Sequence, residues 1–362
     1  MRQKDYSYSC SRSFLSCGLL AAVVTALLCA CNGPGRYIAV TGYAQGGTYS
    51  VKFNTSGVKV PREEIAAAID SILTLVDTTL SGYNKSSQLS RFNAGEAIVP
   101  NQLFSDIYAF SHDIWEETDG CVDVAAGPLF DIWGFGFSND SLPSDDKVRE
   151  TMETCGMGRL ADAIAPGVSL DPYALLAGDA PSGQRGEAPA RLNFNAVAQG
   201  YTCDMVADYL KSLGVKDMLV DIGEIYCAGH NPSGRDWSIG VDRPVDGNDT
   251  PGADLDGIWV SGGQSCGIVT SGNYRKFYVR DGRKYSHTID PRTGYSVDDS
   301  LLSASIVAPT AAAADAYATY CMVLGFDEAR TFIESRPDLE GYLIYDLDGV
   351  MTEWASPGFT LR

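Results

Sequence analysis

Apolar residues at Ile65, Ile69, Ile72, Leu73 and Val76 recur at three- and four-residue steps, which predicts an amphipathic helix over 65–80 packed on a sheet. Just upstream, Thr48-Tyr49-Ser50-Val51-Lys52-Phe53 alternates with the period of a half-buried strand. Further helices are predicted over 104–118 and 198–213, the second stopped by Gly214. Leu219-Val220-Asp221-Ile222 then reads as a buried strand. Residues 139–192 break this pattern with acidic, Pro, Gly and Ala clusters such as Asp179-Ala180-Pro181-Ser182-Gly183. They predict a peripheral excursion with a mobile loop and receive no site. No repeat of solenoid length is visible, so the pattern predicts one composite α/β unit, of the α+β kind, over 43–362.

The N-terminus has a different texture. Arg2, Lys4 and Arg12 precede an apolar run, Phe14 to Ala30, too short and too terminal for an ordinary spanning helix, which reads as a secretory signal over 1–30. Leu28-Cys29-Ala30-Cys31 is a small-residue context before a cysteine and resembles a bacterial lipoprotein signal, with Cys31 lipidated and 31–42 as a tether. Cys29 fits less well because bulky Leu28 precedes it. A generic signal peptide and an uncleaved anchor are the alternatives, and all three export the globular part.

Removing residues 1–30 takes Arg2, Lys4, Arg12 and Asp5 from totals of 27 basic and 46 acidic residues, leaving 24 against 45. So acidic a chain is a poor partner for nucleic acid or for an anionic membrane surface, and a lipid anchor would carry attachment while the domain stays in water. After Cys31 the cysteines are Cys121, Cys155, Cys203, Cys227, Cys266 and Cys321, with no CxxC and no zinc-ligand spacing. Export permits disulfides, a chain of this length can do without them, and the sequence leaves the pairing open.

Chemistry concentrates in two segments. Tyr285-Ser286-His287-Thr288-Ile289-Asp290-Pro291-Arg292-Thr293-Gly294 sets one of three histidines beside a carboxylate, an arginine and turn formers. In Ala314-Asp315-Ala316-Tyr317-Ala318-Thr319, Asp315 and Thr319 lie four apart on one helical face. Their hard oxygens suit Mg²⁺ shared with a phosphate, although helix packing and capping would use the same residues. Asp290 can orient His287 or simply initiate a turn, and the turn is the plainer reading. His112 reads as a surface residue and His230 as a loop residue, outside the site.

Taken with Ser81-Gly82-Tyr83-Asn84 leading into Ser90-Arg91-Phe92-Asn93, Gly120-Cys121-Val122-Asp123 with Gly127-Pro128-Leu129 and Trp133-Gly134-Phe135, Asn193 through Tyr201, Asp221-Ile222-Gly223-Glu224-Ile225 and Val269 through Arg275, the two segments resemble the ApbE-type FAD:protein FMN transferases from about residue 41 to 330. The resemblance implies a single domain with mixed sheets flanked by helices. It implies Mg²⁺-dependent transfer of FMN from FAD to a Thr or Ser hydroxyl of an exported acceptor flavoprotein, with loss of AMP. It places Mg²⁺ on Asp315, Thr319 and the carbonyls of Ala196 and Ala318, and makes His287 the residue acting in transfer, as a neutral imidazole taking the acceptor proton. FAD binding falls to Gly46, Gly47, Tyr83, Cys121, Val122, Asp123, Asn193, Gln199 and Ile289; Thr270-Ser271-Gly272 offers weaker phosphate donors. As an isolated residue Tyr83 would be assigned to the core.

The chain departs from the family pattern where Met is usual at 46, Asp at 193, Lys at 199 and Phe-Asp-Pro-Thr at 122–125. Asn193 and Gln199 together remove one negative and one positive charge, consistent with an amide pair replacing a salt bridge or with weakened nucleotide binding. Two other readings share the site: an Mg²⁺-dependent FAD pyrophosphatase giving FMN and AMP, and a flavin-binding lipoprotein without chemistry. A purely structural envelope protein fits the concentrated motifs poorly.

Overall fold

The computed structural model describes residues 37–136, 142–173, 189–248, 250–280 and 282–362. Eight strands form one sheet in which spatial order follows chain order: Tyr37–Ala44, Gly47–Asn54, Met218–Asp221, Ile225–Ala228, Cys266–Gly272, Leu301–Ala308, Glu340–Leu347 and Val350–Ala355. Every neighbouring pair in it is antiparallel. The α+β class is as expected, while the mixed sheets resolve, among the described strands, into antiparallel pairings. Each strand returns beside its predecessor, so no parallel crossover is required, and the helices are insertions into hairpin-like connections.

Among the described residues, six α-helices and a short 3-10 helix lie between the second and third strands, including Arg62–Leu80, Gln102–Glu117 and Ala198–Ser212. The hairpin Ser238–Asp242 with Leu255–Val260 interrupts the fourth-to-fifth connection. Two short hairpins, Phe277–Arg280 with Arg283–Ser286 and Ile289–Asp290 with Tyr295–Ser296, lie between the fifth and sixth strands. Helices Ala311–Leu324 and Phe326–Ser335 fill the next connection.

Alternation along the central strands sends side chains to two cores. Val269, Ala304, Ile306 and Leu343 join the helices on one face, whereas Cys266, Ile268, Val307, Tyr342 and Ile344 join Trp237, Trp259 and Phe359 on the other. Burial on both faces explains the continuous apolar run at the start of Cys266–Gly272. The first two strands are buried on one face only, with Tyr49, Val51 and Phe53 packed against Ile65, Ile69 and Leu73 of Arg62–Leu80.

The predicted helices form within a few residues of their expected limits. The strand expected at 219–222 is Met218–Asp221, and it alternates, burying Met218 and Val220. Two expectations on organisation change. The segment assigned as a tether contributes an edge strand from Tyr37 onward, paired in register from Tyr37↔Asn54 to Ala44↔Gly47. The excursion at 139–192 is not wholly peripheral. It contains helix Asp145–Met152, and Val148, Met157, Ile164, Ala190 and Leu192 are buried; composition missed these scattered apolar anchors. The expected mobile loop at 179–187, the signal segment and Cys31 lie outside the described residues.

Candidate functional site

Asp315 lies in the second turn of helix Ala311–Leu324, and its partner is the start of helix Ala198–Ser212. Gly200 N donates to Asp315 Oδ2 at 3.1 Å. In return, Asp204 accepts from the Ala311 and Ala312 amides at 2.9 and 2.8 Å, and Thr310 accepts from Ala313 N. Each helix thus supplies a carboxylate to the unsatisfied amides at the other's N-terminus. The arrangement needs backbone contact: a Cβ at Gly200 would lie 2.3 Å from Ala311 O, and one at Gly267 2.3 Å from Ala311 Cα. Glycine is the residue that fits at both positions.

This reciprocal capping buries acids close together. Burial, followed by the charge of Asp204, pushes the Asp315 carboxyl up to about 8 against the hydrogen bond from Gly200. Asp204 is pushed up to about 6 by burial, opposed by its two amide donors. Glu224, in the turn joining two central strands, is raised well above the carboxylate range by burial and then by Asp315 and Asp221. The cation acting on Glu224 is Arg275, which is itself paired with Asp242. Among the described residues, no cationic side chain contributes to the balance at Asp315. A buried carboxylate with one amide donor and acidic neighbours is the chemistry of a hard divalent-cation site. Thr319, half-buried one turn further along, and Ala318 on the same helix fit that donor set, and Ala196 lies in the turn just before helix Ala198–Ser212.

Among the described residues, the group of three His, Cys, Asp or Glu side chains close enough to share an ion is His112, Asp113 and Glu116, on one helix surface. It is separate from the Asp315 site, whose expected ligands include carbonyls and a hydroxyl. Glu224 is the acid that sequence reasoning quoted without assigning a role. Its position in Asp221-Ile222-Gly223-Glu224-Ile225 was the available signal.

His287 follows directly on the strand Arg283–Ser286. Its Nδ1 and its backbone N both meet Lys276 O at 3.1 Å. A carbonyl accepts, so Nδ1 carries the proton and Nε2 keeps its lone pair. Burial, helped by the Lys276 charge, lowers the imidazole to about 4. The ring is neutral near pH 7 and competent as a base. Phe135 stands edge-on to it, centroids 6.4 Å apart, and heads a stack through Tyr278 and Tyr285 toward Trp133. Trp133 Nε1 donates to Gly294 O at 2.8 Å, tying the Trp133-Gly134-Phe135 motif to the histidine segment. Lys276 and Phe135 support His287 through a carbonyl and a ring face, neither visible as sequence spacing.

Asp290 has the turn role. It accepts from Arg292 N at 2.9 Å and pairs with the Arg292 guanidinium at 3.0 Å. Ile289 is buried beneath the same turn with Ala126, Leu129 and Trp133. A Cβ at Gly120 would sit 3.9 Å from Arg292 Cγ, and buried Cys121, whose thiol burial pushes up to about 12, senses Arg292 and Asp290. Tyr320, next to Thr319, senses Cys121 in turn. The 120–123 loop therefore neighbours both the histidine turn and the helix that bears Asp315.

Of the remaining expected flavin contacts, Asp123 and Asn193 adjoin this loop and the others lie on separate elements. Asp123 is committed to the backbone, accepting from Ala125 N at 2.7 Å and Met157 N at 2.9 Å, and burial holds it at about 6. Asn193 is buried; its N donates to Val124 O at 2.7 Å and its side chain accepts from Asn195 N. The Gln199 amide reaches Ile222 O at 3.5 Å. Gly46 and Gly47 close the first hairpin, where Gln45 and Gly46 both take positive φ and Gln45 Nε2 donates to Thr202 on the Gln199 helix at 2.7 Å. Tyr83, expected as a flavin contact, is 76% exposed on the bend after Arg62–Leu80, so the core placement that an isolated tyrosine would suggest does not apply. Thr270 is engaged by the Ser305 hydroxyl at 2.7 Å, which weakens its case as a phosphate donor.

The ApbE family profile matches residues 45–343. A curated relative from Haemophilus influenzae named FAD:protein FMN transferase is 29% identical over 350 residues, covering 94% of this chain and 96% of its own. One of the same name from Escherichia coli K12 is 31% identical over 302 residues, covering 82% and 81%. Among solved structures, the flavin transferase ApbE from Vibrio cholerae superposes with a TM-score of 0.72 at 28% identity, covering 90% of this chain and 99% of that one. The apo flavinyl transferase ApbE from Pseudomonas stutzeri gives 0.74 at 27% identity, covering 89% and 95%. With the acid site, the neutral histidine and the match spanning residues 45–343, the chain belongs to the ApbE family.

Proposed function

We propose that this chain transfers FMN from FAD to a threonine or serine hydroxyl of an exported acceptor flavoprotein, using Mg²⁺ held at Asp315 and releasing AMP. The chain is an enzyme and FAD is its donor, in line with its curated relatives. The observation that carries the metal assignment is the buried Asp315 carboxylate, facing Asp204 and Glu224 with no cationic partner among the described residues.

Asp315, Thr319 and the carbonyls of Ala196 and Ala318 would hold Mg²⁺, with Glu224 as an acidic neighbour. When bound, the ion would offset negative charge that develops on the pyrophosphate. His287 Nε2 takes the proton from the acceptor hydroxyl, whose oxygen forms a bond to the phosphorus of the FMN half. The bond from that phosphorus to the AMP oxygen breaks, and AMP leaves with the electron pair. Lys276 O keeps the imidazole in the tautomer this step requires. Asn193 and Gln199 bind nucleotide through amides where a charged pair is usual. The domain is exported and tethered through Cys31; no described helix is long and apolar enough to cross a membrane.

Incubation of the full chain with FAD and Mg²⁺, with and without a candidate acceptor, tests this reading. AMP release with a flavin mass added to the acceptor supports it. AMP with free FMN, whatever acceptor is supplied, favours the pyrophosphatase. FAD bound and recovered intact in every condition favours binding without chemistry.

A further inference from the structure

Cys227 and Cys266 face each other across the fourth and fifth strands of the sheet. They are direct register partners, Cys227↔Cys266, in an antiparallel pair that continues through Tyr226↔Gly267 and Ile225↔Ile268. Their sulfurs are 3.9 Å apart. Directly opposed residues in antiparallel strands have Cα separations of about 4.5–5.5 Å, inside the window of about 4.4–6.8 Å that a disulfide spans. We propose that Cys227 and Cys266 are a cross-strand disulfide site that closes the base of the 228–265 excursion.

The surroundings explain why a link there would matter. Both side chains point to the face opposite helix Ala311–Leu324, where Trp237, Ile239, Trp259 and Phe359 cover them. That layer is supplied by the hairpin between the two cysteines and by the C-terminal segment, so the disulfide would tie the hairpin's two ends beneath the residues they bury. Cys121, Cys203 and Cys321 are also buried, but belong to other parts of the molecule, and Cys155 is half-buried. Cys227 and Cys266 are 0% and 3% exposed, so the exchange takes place before the tryptophan layer closes. The thiolate of one cysteine attacks an incoming disulfide, such as oxidised glutathione, and forms a mixed disulfide while releasing one thiol. The second cysteine displaces the remaining thiol. Two protein thiols become one S–S bond, two protons are lost, and the two electrons reduce the incoming disulfide.

The test is refolding of the denatured, reduced full chain in a glutathione redox buffer, followed by alkylation of free thiols and peptide mapping. The expected product links the Cys227 and Cys266 peptides while Cys121, Cys155, Cys203 and Cys321 are alkylated. Alkylation of both Cys227 and Cys266, or linkage of either to a different cysteine, overturns the proposal. The oxidised chain should also melt about 5 °C or more above the reduced chain, and that gap should vanish in Cys227→Ala/Cys266→Ala. A gap of the same size in the double variant overturns it as well. Should that variant fail to fold, the peptide map of the native sequence decides. The inference is independent of the transferase reading, since neither readout depends on FAD.

Discussion

The Asp315 corner and the His287 turn face the same physical force and answer it differently. Burial raises the carboxyl to about 8 and lowers the imidazole to about 4, in each case favouring the neutral form. For the base proposed at His287 the neutral form is the one required, and one carbonyl suffices to fix its tautomer. The metal ligand proposed at Asp315 would have to be ionised, and its neighbours Asp204 and Glu224 oppose that. The scaffolds match these needs. The acid sits where two helix N-termini and two glycines lock backbone against backbone. The histidine sits between short hairpins outside the main sheet, held by ring stacking. Under the proposed function, metal binding would fall to the rigid part and proton transfer to the peripheral turn.

The strongest way to break this contrast is Asp315→Ala, which should lower AMP release about 100-fold or more with the fold retained, as read by chromatography alongside circular dichroism. Full turnover would remove the acid corner from the reaction. Next, His287→Ala should slow flavin transfer by about 100-fold and leave FAD affinity, measured by fluorescence titration, within a few-fold. Equal losses in both would make His287 a binding residue. His287 should keep its basic form down to about pH 4, so an imidazole titration followed by NMR with a midpoint near about 6.5 would contradict the lowered imidazole.

A smaller effect sharpens the acid side. A carboxyl raised in the folded state stabilises it while protonated. The Asp315 contribution is therefore present at low pH and lost as pH rises toward about 8. Stabilisation by Mg²⁺, followed as the shift in melting temperature, should accordingly grow over that interval and disappear in Asp315→Asn. Glu224→Gln should weaken Mg²⁺ about 10-fold while preserving the fold. The least effect is expected from Phe135→Ala, a several-fold loss in transfer rate with Mg²⁺ affinity unchanged, because the ring packs edge-on with His287.

Legibility in sequence follows the range of the interactions. The helix over 65–80 and the strand over 48–53 were readable because one face of each is buried and the apolar period records it. Asp315 with Thr319, and His287 in its turn, could be singled out as candidates because their polar groups sit within a few residues. The strand from Tyr37 was hidden because it is an edge with only Val40 buried, which leaves little pattern. Met157 and Ile164 were hidden because their anchors are isolated in a polar segment. The exposure of Tyr83 was not readable from residue type, which by itself suggests core, because the chain bends outward past the end of its helix.

By itself the sequence determined the α+β class, the acidic character of the chain, the segments in which chemistry was expected and the family. These depend on local periodicity and on residues close together in the chain. Only the tertiary structure decided that Asp204 and Asp315 cap each other's helices, that Glu224 joins them, that Lys276 O sets the His287 tautomer and that Cys227 faces Cys266. Each of those relations joins segments whose nearness is set by sheet register or helix packing, quantities that no single stretch of sequence contains.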